Sequence, residues 1–146
     1  MIYLGSDHAG YRLKREIIAY LETVGASYKD YGCTDGEPVD YPNAAEETCN
    51  ALLEAKADGD FAILVCGTGI GISIAANKIN GIRAAVVTDA FTAEMAKLHN
   101  NANCICIGER VTGVGVALTA VKKYMETDFE GGRHARRVDK IMALEK

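Results

Sequence analysis

The sequence predicts an α/β fold, a doubly wound sheet of five parallel strands with helices on both faces and an extra helix at the C-terminus. Apolar runs rich in β-branched residues alternate five times with amphipathic stretches of helical period. The run at 61–65 is apolar throughout, which is typical of a parallel strand covered on both faces. The length of 146 residues is about that of one domain, so we expect residues 1–146 to form a single Rossmann-like domain.

Three strands and two helices are predicted in the first half of the chain. The strands are expected at 2–6, 27–31 and 61–65, and the helices at 11–24 and 42–57. The first helix carries apolar side chains at a helical spacing, namely Leu13, Ile17, Tyr20, Leu21 and Val24. Glycine at position 25 is expected to end it, and the proline at position 42 suits the first turn of the second helix.

The second half continues the alternation with two strands and four helices. The strands are expected at 82–87 and 103–107, the former as another buried strand. The helices are expected at 70–78, 90–98, 114–125 and 133–144. The last helix follows a Gly-Gly break and adds no strand, so its apolar residues pack on the parent domain or on a second subunit: Val138, Ile141, Met142 and Leu144.

Composition and charge exclude several classes of protein. The net charge of −4 disfavours a nucleic-acid partner or a membrane surface, and no apolar run approaches the ~18 residues that cross a bilayer. The N-terminus lacks the basic segment and cleavage site of a signal peptide. Residues 133–140, however, contain four basic residues against one acidic residue. This basic island in an acidic protein favours one compact anion over a polymer.

The five cysteines do not suggest a disulfide framework. Their number is odd, their spacing is irregular and no secretory segment precedes them, so we expect reduced thiols in a cytoplasmic protein. Cys104 and Cys106 share one face of a predicted strand. A second cysteine pair and histidine ligands are missing nearby, which favours core packing over a metal site.

Ligands of open α/β sheets bind beyond the carboxyl ends of the strands. That rule selects Asp7 and His8 after the first strand, residues 66–71 after the third, Asp89 after the fourth, and Arg110 after the fifth. In the 66–71 segment, alternate glycines let backbone amides approach negative charge at a helix N-terminus.

Known glycine-rich motifs fit the segment at 66–71 only in part. A Walker loop requires a lysine that is absent, and a cysteine phosphatase loop requires arginine where Ile72 stands. A dinucleotide fingerprint has its third glycine one residue later, although Asp89 follows at the expected distance. A nucleotide-binding module therefore stays open on spacing alone.

Each candidate residue also has a purely structural interpretation. Cys66 is either a buried structural thiol or a reactive one, since the N-terminus of a helix favours the thiolate. An aspartate before the first helix can cap it, and His99 lies in a polar turn. Arg133 and Arg137 share a helix face, where they form either a solvated helix end or a clamp on phosphate.

Several separated motifs, in the right order, resemble those of the type B ribose-5-phosphate isomerases, a group related to galactose-6-phosphate isomerase subunits. The resemblance spans almost the whole chain. It rests on SDHAG at 6–10, DYP at 40–42, CGTGIGISIAANK at 66–78, GIRA at 81–84, HNNAN at 99–103, GER at 108–110 and GGRH at 131–134.

The resemblance implies an aldose–ketose isomerase of sugar phosphates that uses no metal or organic cofactor. It implies a homodimer, in some members a homotetramer, with active sites between subunits and the last helix at an interface. The catalytic residues it implies are Cys66 as base, His99 in ring opening and Thr68 in proton transfer at oxygen. The substrate-binding residues it implies are Asp7, His8, Tyr41, Gly67, Gly69, Ile70, Gly71, Asn100, Arg110, Arg133 and Arg137.

One departure from part of this family sharpens the assignment of the base. Some members use a glutamate as base at the position of Ile72, so that chemistry is absent here. Proton transfer beside a carbonyl requires a base active near neutral pH and donors aimed at the enediolate. From the resemblance, we therefore expect the protein to interconvert ribose 5-phosphate and ribulose 5-phosphate, with Cys66 as the base. A six-carbon sugar phosphate, and a non-catalytic subunit that requires a related partner, remain alternatives.

Overall fold

The computed structural model describes residues 1–146, and its centre is one sheet of five parallel strands. The strands are β1 (Ile2–Ser6), β2 (Tyr28–Gly32), β3 (Phe61–Cys66), β4 (Ala84–Val86) and β5 (Cys104–Gly108). Their order across the sheet is β2-β1-β3-β5-β4, and every neighbouring pair is parallel. The predicted doubly wound α/β fold is confirmed.

Six α-helices connect and flank the strands. They are α1 (Tyr11–Thr23), α2 (Tyr41–Ala55), α3 (Ile70–Ala76), α4 (Ala90–Leu98), α5 (Val114–Met125) and α6 (Arg133–Met142). A short 3-10 turn, His8–Gly10, joins β1 to α1. No helix combines the length and the apolar composition that a membrane span requires.

The sheet separates two hydrophobic cores. Helices α1, α4 and α5 cover one face, where Leu4, Val65 and Ile107 are fully buried. Helices α2 and α3 cover the other, against Leu64 and Cys106. Because successive strand residues point to opposite faces, the central strands contribute to both cores, which explains their unbroken apolar sequence.

Two predictions about packing are corrected by the structure. The strand expected at 82–87 contains only Ala84–Val86, and it is half exposed because β4 lies at the edge of the sheet. Val24, expected on the apolar face of α1, is 51% exposed because the helix ends one residue before it. Gly25 follows in the left-handed conformation, with φ of 69°, as expected for a helix stop.

The cysteines pack as predicted from their spacing. All five are free and buried, and the Sγ atoms of Cys104 and Cys106 lie 4.0 Å apart. A hydrogen bond with Cys104, together with burial, raises the pKa of Cys49. The thiols of Cys49, Cys104 and Cys106 therefore pack in one hydrophobic core, as their burial requires.

Lys14 is a buried charge that the apolar pattern of α1 does not predict. Its Nζ pairs with Asp30 Oδ1 at 2.5 Å and donates to the carbonyl oxygens of Tyr31 at 2.8 Å and Cys33 at 2.5 Å. The side chain is fully buried, yet it has three oxygen partners, as a buried ammonium requires. Lys14 therefore fastens α1 to the end of β2.

Candidate active site

The segment between β3 and α3 places a thiol against backbone amides. Cys66 ends β3, is 4% exposed, and its Sγ accepts a hydrogen bond from the Gly69 amide at 3.1 Å. Gly69 has a φ of 78°, and a Cβ there would lie 3.1 Å from the Ile107 carbonyl carbon. Only glycine fits this combination of left-handed backbone and close approach, so the loop is held against the end of β5.

Polar and aromatic side chains surround this loop. Thr68 is exposed and its Oγ1 accepts from the Ile70 amide at 3.2 Å. Arg110 lies over Gly67, where a Cβ would be 3.2 Å from its guanidinium. Tyr41, the first residue of α2, covers Gly71 in the same way, at 2.9 Å. Close packing at the two glycines therefore leaves no room for side chains between the loop and these residues.

Asp7 and His8 stand beside the loop at the end of β1. Asp7 is buried and its Oδ1 accepts from the Gly10 amide at 3.0 Å. The expected cap of α1 is thereby corrected, because Asp7 caps the 3-10 turn that precedes this helix. His8 is exposed, and its Nδ1 accepts from the Val39 amide at 3.3 Å. That bond leaves the other ring nitrogen of His8 available to a ligand.

A second group of candidate residues surrounds His99. This residue follows α4 as its C-cap, and its ring stacks on His134 with 4.2 Å between centroids and 10° between planes. Glu130 Oε2 lies 3.8 Å from His99 Nε2 and 3.5 Å from His134 Nε2. Burial, and after it the charges of His99 and two arginines, lower the pKa of His134, although Glu130 opposes the shift.

The two groups lie at opposite ends of the parallel strands, which we call the carboxyl edge and the amino edge of the sheet. Cys66 pairs with Gly108 at the carboxyl ends of β3 and β5, whereas His99 precedes the amino end of β5, which pairs with Ala62. Four strand residues at 3.3 Å each separate the two edges by about 13 Å. Asn100, Arg133 and Arg137 accompany His99 and are exposed. No hydrogen bond, ion pair or ring contact within the chain joins the groups.

Comparison with known proteins identifies the family. A family model described as Ribose/Galactose Isomerase matches residues 2–141. The chain belongs to this family. It is 42% identical over 145 residues to ribose-5-phosphate isomerase B of Escherichia coli (strain K12), and the alignment covers 99% of this chain and 96% of that protein.

Solved structures agree with the membership in the ribose/galactose isomerase family. Ribose-5-phosphate isomerase B of Clostridium thermocellum gives a TM-score of 0.93 at 47% identity, over 98% of this chain and 95% of that one. A ribose 5-phosphate isomerase of Thermotoga maritima gives 0.92 at 42% identity, over 98% and 97%. The chain is therefore a sugar-phosphate isomerase.

The sequence reasoning assigns no role to Glu130 or to His134, although it includes His134 in the GGRH motif. The two residues are spaced i, i+4. The Gly131-Gly132 pair between them argues against a continuous helix, so the spacing alone does not predict that they face each other. Asp89, the candidate for nucleotide binding, is occupied elsewhere. Its Oδ1 accepts from the amide of Thr92 at 2.7 Å and from its hydroxyl at 2.9 Å, in a capping box at the start of α4.

Proposed function

We propose that this protein interconverts ribose 5-phosphate and ribulose 5-phosphate through a cis-enediolate, with Cys66 as the base. The observation that carries the proposal is the Cys66 sulfur at the mouth of a glycine-rich loop, within hydrogen-bond distance of the Gly69 amide. Relatives of this chain named ribose-5-phosphate isomerase B support the choice of substrate.

The chemistry follows from the loop. The Cys66 sulfur accepts a hydrogen bond from the Gly69 amide at the start of α3. As the base, it removes the C2 proton of the open-chain aldose. Amides of the loop stabilise the negative charge that develops on the enediolate oxygens. The thiol then returns the proton to C1, while Thr68 assists proton transfer between O1 and O2. The reaction moves protons only, so no cofactor is required.

We propose that each active site is shared between two subunits of a homodimer. His99 precedes the amino end of β5, whereas Cys66 lies beside its carboxyl end, about 13 Å away along the strand. We infer that one chain does not bring His99, Arg133 and Arg137 to the same pentose phosphate as Cys66. A second copy related by a twofold axis supplies the missing edge to each site, with His99 of the partner subunit opening the furanose ring. Arg133 and Arg137 then bind the phosphate.

Exposed apolar residues support this assembly. Ile70 and Ile74 of α3 are 55% and 57% exposed beside the Cys66 loop, and Ile141 and Leu144 at the end of the chain are 45% and 78% exposed. Large apolar side chains clustered at a site indicate a protein partner. We place the helix α6 at this interface and leave a tetramer as a further possible assembly. The free cysteines support a cytoplasmic location for this single domain.

Substitution of Cys66 by alanine tests the base. We expect turnover to disappear while the affinity for ribose 5-phosphate, measured by calorimetry, stays within about twofold, because the thiol acts on the C2 proton rather than on the phosphate. Cys33→Ala, which removes another buried free thiol that the mechanism does not use, is the matched control and keeps its kcat. A Cys66→Ala variant with near-normal kcat would exclude this base.

A mixing experiment tests the shared site. Cys66→Ala and His99→Asn are each expected to be inactive as homodimers. When subunits exchange, one site of each mixed dimer combines both intact residues, and about a quarter of wild-type activity returns. Mixtures that exchange subunits, as seen by mass spectrometry, but stay inactive would show that the two residues act in the same chain.

A substrate panel separates the pentose from its competitors. We compare ribose 5-phosphate with allose 6-phosphate and galactose 6-phosphate, and follow solvent deuterium at C1 and C2 by NMR. The highest kcat/KM is expected for the pentose. A homo-oligomer inactive on all three sugars would indicate a subunit that depends on a related partner.

A further inference from the structure

The histidine pair at the amino edge of the sheet carries a feature that isomerisation does not require. His134 is 6% exposed, and its Nε2 is buried without a hydrogen-bond partner. The atom faces Glu130 Oε2 at 3.5 Å, and His99 Nε2 approaches the same oxygen at 3.8 Å. A buried ring nitrogen without a hydrogen-bond partner lowers the stability of the folded protein, so a ligand that bonds to this atom would be stabilising.

The three side chains form a ligand set that suits a divalent transition-metal ion. Two imidazoles and one carboxylate, with a position left open for water, are the donors of many zinc sites. Bonds of about 2.0–2.1 Å in a tetrahedral site place the donor atoms roughly 3.4 Å apart. Here one donor atom from each residue lies within 4.8 Å of the other two, so rotation of an exposed side chain can bring all three to one ion.

We propose that His99, Glu130 and His134 bind a transition-metal ion of the Zn²⁺ class, and that this ion inhibits the enzyme. The loop carrying Glu130 is fixed to the end of α4, because its amide donates to the Leu98 carbonyl at 3.0 Å. The ligands therefore come from two segments that are already held together.

Binding requires one ring to turn. Lone pairs of the ring nitrogens lie in the ring planes, and the two planes are almost parallel, so stacked rings cannot both point at one ion. His134 is held by its burial, whereas the His99 side chain is 37% exposed and Glu130 is 52% exposed. We therefore assign the movement to His99, which leaves its stacked position when the ion binds.

Neighbouring charges set the balance of this site. The positive charges of Arg133 and Arg137, on the same helix as His134, oppose binding of the metal ion. The negative charge of Glu130 favours it. A phosphate held by the arginines would relieve part of that repulsion. Inhibition rests on the proposed role of His99 in ring opening, whereas binding of the ion does not.

Cobalt and zinc titrations of the full-length protein test the binding. In chelator-free buffer, Co²⁺ is expected to give visible bands of a tetrahedral nitrogen and oxygen site without a thiolate charge-transfer band, and Zn²⁺ is expected to bind one equivalent per chain by calorimetry. Glu130→Gln and His134→Asn should each weaken Zn²⁺ binding by roughly tenfold or more. Loss of a residue that only hydrogen-bonds to a metal ligand already lowers metal affinity by about that factor.

Matched controls locate the ion. His8→Asn and Cys66→Ser remove the other exposed histidine and the loop thiol, and both should bind Zn²⁺ with wild-type affinity. Glu130 is exposed, so Glu130→Gln remains informative if His134→Asn fails to fold. Absence of binding at micromolar Zn²⁺, unchanged affinity in Glu130→Gln, or a thiolate band with Co²⁺ would each overturn the site. Isomerase activity is followed in the same Zn²⁺ titration. Binding without loss of kcat would overturn the proposed inhibition and, with it, the proposed role of His99 in ring opening.

Discussion

Replacing Gly10 by alanine separates the geometry of the loop from its chemistry. An ideal Cβ at Gly10 would lie 2.3 Å from the Val65 carbonyl oxygen and 2.8 Å from the Cys66 amide nitrogen. Real Cβ atoms essentially never come within 3.0 Å of another atom, so the 3-10 turn must move by about 0.7 Å. The obstacle is backbone of the central strand, which cannot yield.

Two consequences follow, and each has its own measurement. Overpacking of this kind costs about 1–3 kcal/mol, which lowers the urea midpoint of unfolding. The same movement displaces Asp7 and His8 relative to Cys66, and misplacement by about 1 Å can cost roughly a hundredfold in rate. We therefore expect kcat to fall by a factor on the order of 10 to 100.

Gly115→Ala is the matched control for this substitution. Gly115 lies in the first turn of α5, and a Cβ there meets nothing within 4 Å. Alanine is the better helix former, so stability should stay level or rise slightly, and kcat should not change. A Gly10→Ala protein that unfolds at the wild-type urea midpoint and keeps kcat within twofold would refute the reasoning.

Three further predictions concern separate parts of the molecule. Lys14→Met is expected to cost about 3–5 kcal/mol in chemical denaturation, because it leaves the Asp30 carboxylate and two carbonyls without their cation; exposed Arg15→Met, as control, should change little. Hydrogen bonds from Thr92 lower the pKa of Asp89, so its stabilisation is complete above the ordinary value of 3.8 and is lost as pH falls through the lower folded value. In a series of melting temperatures against pH, Asp89→Asn should therefore lie below wild type near neutral pH and converge with it in acid; parallel curves would contradict this cap. Arg137→Ala should raise KM for ribose 5-phosphate at least tenfold and leave unphosphorylated ribose unaffected; equal loss on both sugars would contradict the clamp.

The sequence predicted which strands and helices follow one another along the chain, because each element has its own local pattern. Residues 114–125 and 90–98 have the predicted bounds, and the sulfurs of Cys104 and Cys106 share a face as their spacing required. The segment at 66–71 was selected by a topological rule alone, and the structure places Cys66 and its amide donor there.

The errors arise where the answer depends on distant parts of the chain. The apolar run around β4 resembles a buried strand, but strand order decides that it is an edge, and no local pattern encodes that order. Lys14 looks like a solvent-facing position until the end of β2 supplies its oxygens. Likewise, the separation of His99 from Cys66 follows from β5 running between the two edges, which requires the assembled sheet.

The catalytic loop is positioned by main chain against main chain. At Gly10, Gly69 and Gly108, an added Cβ would meet backbone atoms of a neighbouring segment, at Gly108 as close as 2.5 Å. The nearest atoms at these three glycines belong to the main chain, so we expect core side chains to tolerate exchange for others of similar volume better than these glycines tolerate any side chain. A library of variants should therefore accept many combinations of core residues and almost none at these three positions. The catalytic chemistry can therefore stay constant while most core side chains are replaced.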